Sequence, residues 1–186
     1  MRNLIGLAVS LLLFAGCDAP GAPGDSPAAA VPPATPTFSH AMSSDLSGYY
    51  MPATEVQIGK WSFDHVFVGQ THDFQAWESG GRNETFAPVM LQFDDATSPM
   101  VATEIGEAHS VTARVLPTAY LVTDTGLSFE GRSPELGLVS FEGVLDPGAL
   151  ATSRRNLGNE GVVVTGTLTV GNAPARTVQL RWWGGD

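Results

Sequence analysis

Cysteine is nearly absent from the 186 residues: Cys17 stands alone, so the chain has neither a second thiol for an internal disulfide nor a thiolate ligand set for zinc. Positive charge is scarce as well, with 9 Lys plus Arg against 19 Asp plus Glu and a formal charge of -10. A chain of that sign lacks the cationic field needed to neutralise a nucleic-acid backbone, which excludes nucleic acid as a partner. The longest apolar run holds about twelve residues, too few for a helix that crosses a bilayer. A nucleophile elbow, a phosphate loop, a dinucleotide fingerprint and a calcium loop are all missing, so no enzyme class is signalled. What is present is a chain with 21 Gly and 13 Pro, long enough for one domain with appendages.

The first appendage reads as an address. Arg2 gives a positive start, Leu4 to Ala15 is apolar apart from Ser10, and Gly16-Cys17 follows. That order matches the n-region and h-region of a secretory signal. Phe14-Ala15-Gly16-Cys17 resembles the lipobox of bacterial lipoproteins, with small residues at the two positions before the cysteine and Phe14 where Leu is usual. The resemblance implies loss of residues 1–16, diacylation of Cys17 and acylation of the new amino terminus; the alternative is an ordinary secretory signal with an incidental cysteine. Several acyl chains, at ~0.8 kcal/mol per buried methylene, hold a protein at a membrane without spanning it. The expected location is therefore the cell envelope: the periplasmic face of the inner or outer membrane, or the cell surface. Asp18 follows the cysteine and retains lipoproteins in the inner membrane of enteric bacteria, a rule that does not fix the leaflet here.

Residues 17–37 read as the acylated Cys17 and a linker. Six Pro, six Ala and two Gly lie between residues 18 and 37, without apolar periodicity, a composition that favours extended chain and cannot build a core. At ~3.1 Å per residue the tether reaches up to about 60 Å. Residues 38–186 form the domain, with 8 basic and 17 acidic side chains, or -9. A chain of this size buries ~68 to 70% of its extended surface and folds without disulfide or metal.

Period two dominates the domain. Trp61, Phe63, His65 and Phe67 form one row, Val89, Leu91 and Phe93 a second, and Val111, Ala113 and Val115 a third, each alternating with more polar neighbours. Ser128-Phe129-Glu130-Gly131 recurs as Ser140-Phe141-Glu142-Gly143. Antiparallel pairing around Ser133 to Gly137 sets Phe129 opposite Phe141, an aromatic pair that supports the register. In the last hairpin a four-residue turn at Gly171 to Pro174 would mix polar and apolar rows. A five-residue loop ending at Ala175 pairs Val164 with Trp182, Gly166 with Leu180 and Leu168 with Val178, and sets Trp183 beside Val163 on the other face.

One stretch reads as helix. Asp146 caps it, Pro147 takes the first position, Leu150 and Leu157 share a face, Arg154 and Arg155 suit the C-terminal end, and Gly158 can end it. The predicted architecture is all-β: an antiparallel β-sandwich or open barrel with one short helix.

Three groups invite chemistry. Asp64-His65 and His72-Asp73 are the metal candidates, but a tight hairpin tipped by Gln70 and Thr71 separates the two histidines by about 13 Å at ~3.3 Å per residue, so no metal site and no cofactor are expected. Glu130 and Glu142 project from one face as diagonal neighbours ~7 to 8 Å apart, a glycosidase-like spacing that alternation places on almost any wet strand face. Asp94-Asp95 before Ala-Thr-Ser-Pro reads as a strand exit and turn. Trp183 with Tyr49 and Tyr50 forms the candidate binding surface, large apolar area with polar tips; edge packing is the competing reading.

Residues 165–180, Thr-Gly-Thr-Leu-Thr-Val-Gly-Asn-Ala-Pro-Ala-Arg-Thr-Val-Gln-Leu, resemble a hairpin of the YceI-like family. That resemblance implies a lipocalin-like barrel holding a polyisoprenoid lipid, hence a carrier of a hydrophobic small molecule. The residues themselves favour a non-catalytic, lipid-anchored binding module, a periplasmic accessory or an inhibitor or immunity-type protein. Its acidic surface suits a basic envelope protein such as a cell-wall hydrolase.

Overall fold

The computed structural model describes residues 37–104 and 106–185. The signal segment 1–16, Cys17 and the linker up to residue 36 lie outside the described residues. In chain order the elements are β1 (Phe38–Ala41), β2 (Gly48–Pro52), β3 (Gln57–Ile58), β4 (Trp61–Val68), α1 (Thr71–Glu78), β5 (Val89–Asp95), β6 (Met100–Thr103) and β7 (Gly106–His109). They continue as β8 (Thr112–Val115), β9 (Pro117–Thr123), β10 (Gly126–Ser133), β11 (Gly137–Leu145), α2 (Pro147–Arg155), β12 (Val162–Val170) and β13 (Arg176–Trp183).

The fold is an open barrel made by one large curled sheet, ordered β1-β9-β10-β11-β12-β13-β2-β4-β5-β8, with β3 on β4 and a separate β6–β7 hairpin. Only Leu116 separates β8 from β9, yet β8 is the last strand of that order and β9 the second. The sheet curls until its ends approach: a Cβ placed on Gly131 of β10 would lie 2.7 Å from Val115 Cγ1 and 2.6 Å from the Leu116 carbonyl. Most pairs are antiparallel, as the short turns require; among the described residues β1 alone joins in parallel, beside β9.

The inner face carries most of what alternation predicts, although Val111, expected in the row of Ala113 and Val115, is 45% exposed. Val89, Leu91 and Phe93 are buried, and Phe129 lies opposite Phe141 in the predicted register, with Ser133 opposite Gly137. In the last hairpin the observed pairs are Val164 with Leu180 and Gly166 with Val178. The difference from the predicted pairs is two residues, so the faces are kept and only the partners change. A bulge between Val162 and Val164 ends that register, so Val163 is buried while Trp183 continues onto β2 opposite Tyr49.

β4 departs more consequentially. Phe63 pairs with Phe93 and His65 with Gln92, which leaves Asp64 as an extra residue. One inserted residue reverses the alternation. Trp61, Phe63, Val66 and Val68 face the core, while His65 and Phe67, expected in the same row as Trp61, face outward.

The predicted helix is present as α2. The Asp146 carboxylate accepts from the N–H groups of Gly148 and Ala149 at 2.8 and 3.0 Å. It stops earlier than expected, at Arg155, so Leu157 lies past the helix and is 79% exposed instead of sharing a face with buried Leu150. A second helix, α1, replaces the hairpin tip expected at Gln70 and Thr71. Its first turn is held by Asp73, which accepts from the Gln70 N–H at 2.8 Å, and it buries Phe74 and Trp77, one turn apart.

Asp94-Asp95 does form a strand exit. Asp95 Oδ2 accepts from the Lys60 ammonium at 2.6 Å, and Oδ1 from the Thr97 hydroxyl and N–H at 2.6 and 2.9 Å. Lys60 first, then Thr97, hold the Asp95 carboxyl down at about 2. A carboxyl lowered in the folded state adds stability above its unfolded value, about 3.9, and loses it as pH falls through the folded one. In thermal melts, Asp95→Asn is therefore expected to trail the wild type at neutral pH, with the gap closing between about pH 4 and about pH 2. A gap independent of pH would refute this role for the carboxylate.

Candidate functional site

On an antiparallel sheet with one face on the core, the other face ordinarily carries polar side chains. Here the outer face departs from that. Trp183 of β13 pairs with Tyr49 of β2, Tyr49 with Phe67 of β4, and Phe67 with Met90 of β5, which makes one apolar row across four strands. The Tyr49 ring lies 5.4 Å from the rings of Trp183 and Phe67 and 5.0 Å from His65. Phe86, from the segment before β5, packs on Phe67 at 5.7 Å. The Asp64 bulge creates this row, since without it Phe67 would face the core.

Of the three expected binding residues, two meet. Trp183 is 40% exposed and packs against half-buried Tyr49. Tyr50 does not join them: alternation turns it inward, it is 1% exposed, and its hydroxyl donates to the Leu46 carbonyl at 2.7 Å. Burial pushes the Tyr50 hydroxyl well above its ordinary value, so it stays a neutral donor in the core. Trp182 is half-buried, donates to the Ser47 carbonyl at 3.0 Å and carries the Arg154 guanidinium on its ring. Gly48, at φ +136°, is required there: a Cβ would sit 2.4 Å from Trp182 Nε1.

Between the Phe67 and Phe86 rings and β8 runs a groove of about 380 Å³. Tyr49, Phe67, Phe86 and Met90 line its apolar side, and His65, Gln92 and Arg114 its polar side. The polar groups form one chain. His65 Nδ1 and Gln92 Nε2 share Asp64 Oδ2 at 2.7 and 3.3 Å, and Arg114 donates to Gln92 Oε1 at 3.4 Å and to the Thr85 carbonyl at 3.3 Å. Two residues along β5, burial first and then the Asp64 charge raise the Asp94 carboxyl. A second recess, about 490 Å³, lies on the other side of Trp183 among Met51, Leu157 and Trp182.

The remaining candidates are not brought into sites. His72 lies on α1 and pairs with its neighbour Asp73, away from the strand position of His65. Among the described residues no group of three or more His, Cys, Asp or Glu is placed to hold a metal. Glu130 and Glu142 share an exposed face in the predicted register, Glu142 accepting from the Ser128 hydroxyl at 2.6 Å, and neither lines any of the grooves described here. The groove residues Phe67, Phe86, Met90, Gln92 and Arg114 were not among the sequence candidates. Arg114 alone carried a signal, a charge alternating with buried Ala113 and Val115. No known family, no curated protein and no solved structure matches this chain.

Proposed function

We propose that this chain is a lipid-anchored cell-envelope protein whose β-domain is a non-catalytic binding module. The observation that carries the reading is the outward row Trp183-Tyr49-Phe67-Met90 on an otherwise polar sheet face, with Trp183 exposed, Tyr49 and Phe67 half-buried and Met90 buried beneath them. Exposed aromatic rows with a polar rim are what binding surfaces use. The interior supports a binder over a carrier: Phe63, Phe74, Phe93, Phe129 and Phe141 fill it with rings under 2% exposed. The charge of -9 over residues 38–186 favours a basic envelope protein as partner, met with salt-sensitive affinity.

The anchor rests on the Phe14-Ala15-Gly16-Cys17 motif. Cells fed labelled palmitate should incorporate it into the wild-type protein, whereas Cys17→Ser should run unlabelled and larger by the uncut 1–16 segment. Label retained by Cys17→Ser would sink the anchor.

A further inference from the structure

The groove on the outer face holds a charge that the domain leaves unanswered. Among the described residues Lys60, Arg154 and Arg181 each meet a carboxylate, while Arg82, Arg114, Arg132, Arg155 and Arg176 make no ion pair; of these, Arg114 is the one that lines the groove. Its guanidinium is held by two neutral acceptors, the Thr85 carbonyl and Gln92 Oε1. The nearby carboxylate, Asp64, stands on the far side of Gln92 and already accepts from His65 and Gln92 through Oδ2. The fork is thus positioned without being neutralised. A planar guanidinium matches a carboxylate through two parallel hydrogen bonds.

Opposite Arg114 stand the rings of Phe67 and Phe86 over Met90. Small-molecule sites combine such an apolar wall with a few fixed polar groups, and about 380 Å³ suits a compound of one ring. The net charge of -9 repels dianions more strongly than monoanions, which favours a carboxylate over a phosphate. We propose that this groove binds a small amphiphilic carboxylate, its anion on Arg114 and its ring or short apolar body against Phe67, Phe86 and Met90.

The proposal rests on the outer face being a binding surface, and one titration separates the two. Full-length protein with ¹³C-methyl methionine is titrated with 3-phenylpropionate, with its uncharged amide and with phenyl phosphate. The Met90 methyl should shift to saturation with the acid, while Met51, in the separate recess beyond Trp183, and Met100, on β6, stay still. The amide should bind at least ~10-fold more weakly, and Arg114→Gln, a change at an exposed side chain, should bind acid and amide alike. Equal binding of acid and amide by the wild type, a preference that survives Arg114→Gln, or tighter binding of phenyl phosphate would overturn the carboxylate assignment alone. A Met90 methyl unmoved by all three would remove the groove as a small-molecule site and leave the protein-binding reading of the outer face untouched.

Discussion

Phe141→Ala is expected to cost the domain ~3 to 5 kcal/mol, the range for emptying a buried aromatic site. Phe141 is fully buried, and its ring lies against Gly143 and Gly166, which pair with each other across β11 and β12. The two glycines make the slot that the ring fills, and they differ in a way that urea unfolding can read. The atoms nearest a Cβ on Gly143 are all side-chain atoms, Phe141 Cε1 at 2.7 Å and Val164 Cγ1 at 2.9 Å among them. One on Gly166 would also meet backbone, the Glu142 carbonyl at 2.6 Å. Gly143→Ala alone should cost ~1 to 3 kcal/mol through overpacking. Combined with Phe141→Leu it should cost clearly less than the sum, because the smaller side chain vacates the clash. Gly166→Ala should be rescued less, since the Glu142 carbonyl stays in place while only the Phe141 contacts are relieved. Additive costs for the Gly143 pair would refute the slot.

Phe74→Ala should have a comparable cost, ~3 to 5 kcal/mol, but a localised signature. An eight-residue helix is not stable on its own and depends on what it buries. Phe74 is that anchor, with the Tyr120 ring at 5.5 Å and the His40 ring at 5.1 Å. Polar contacts reinforce it: Glu78 accepts from the Tyr120 hydroxyl at 3.0 Å and is paired with His40 Nδ1 at 2.9 Å. Burial, then the hydrogen bond to Glu78 and after it the Glu78 charge, raise the Tyr120 hydroxyl above its ordinary value and keep it a donor. Amide exchange in Phe74→Ala should therefore accelerate most in α1 and in β1, beyond the common increase that the lost stability gives β10, β11 and β12. A uniform increase across all strands would show that α1 is an integral part of the core and not an attached cover.

The parts of the fold that local rules determine were legible in the sequence. The pairing of Phe129 with Phe141 follows from a short turn plus two matching rows, and the cap of α2 from Asp146-Pro147. The parts that escaped depend on one residue more or less. The Asp64 insertion leaves no mark in composition, yet it moves His65 and Phe67 from the inner row to the outer face and so makes the groove. The last hairpin slipped by two residues because turn length, not face, decides between registers that bury the same side chains. Alternation allows only one of Tyr49 and Tyr50 to face solvent, but it is the inward turn of Tyr50 toward Leu46 that decides which. For α1 the signal was present: Asp73 at the start and Phe74 with Trp77 one turn apart. It was outweighed by the turn-like look of Gly69-Gln70-Thr71.

The sheet order has a kinetic meaning as well. β2, near the start of the domain, hydrogen-bonds to β13 near its far end, Tyr50 opposite Trp182 and Tyr49 opposite Trp183. The chain between them must find its own pairings before that seam can close, so the slowest contact joins segments most distant in sequence. Folding times of milliseconds to seconds are usual for such non-local topologies. Since Tyr49 and Trp183 flank that seam, Trp183 joins the aromatic row only when the seam closes, whereas the groove residues on β2, β4, β5 and β8 come together through nearer pairings.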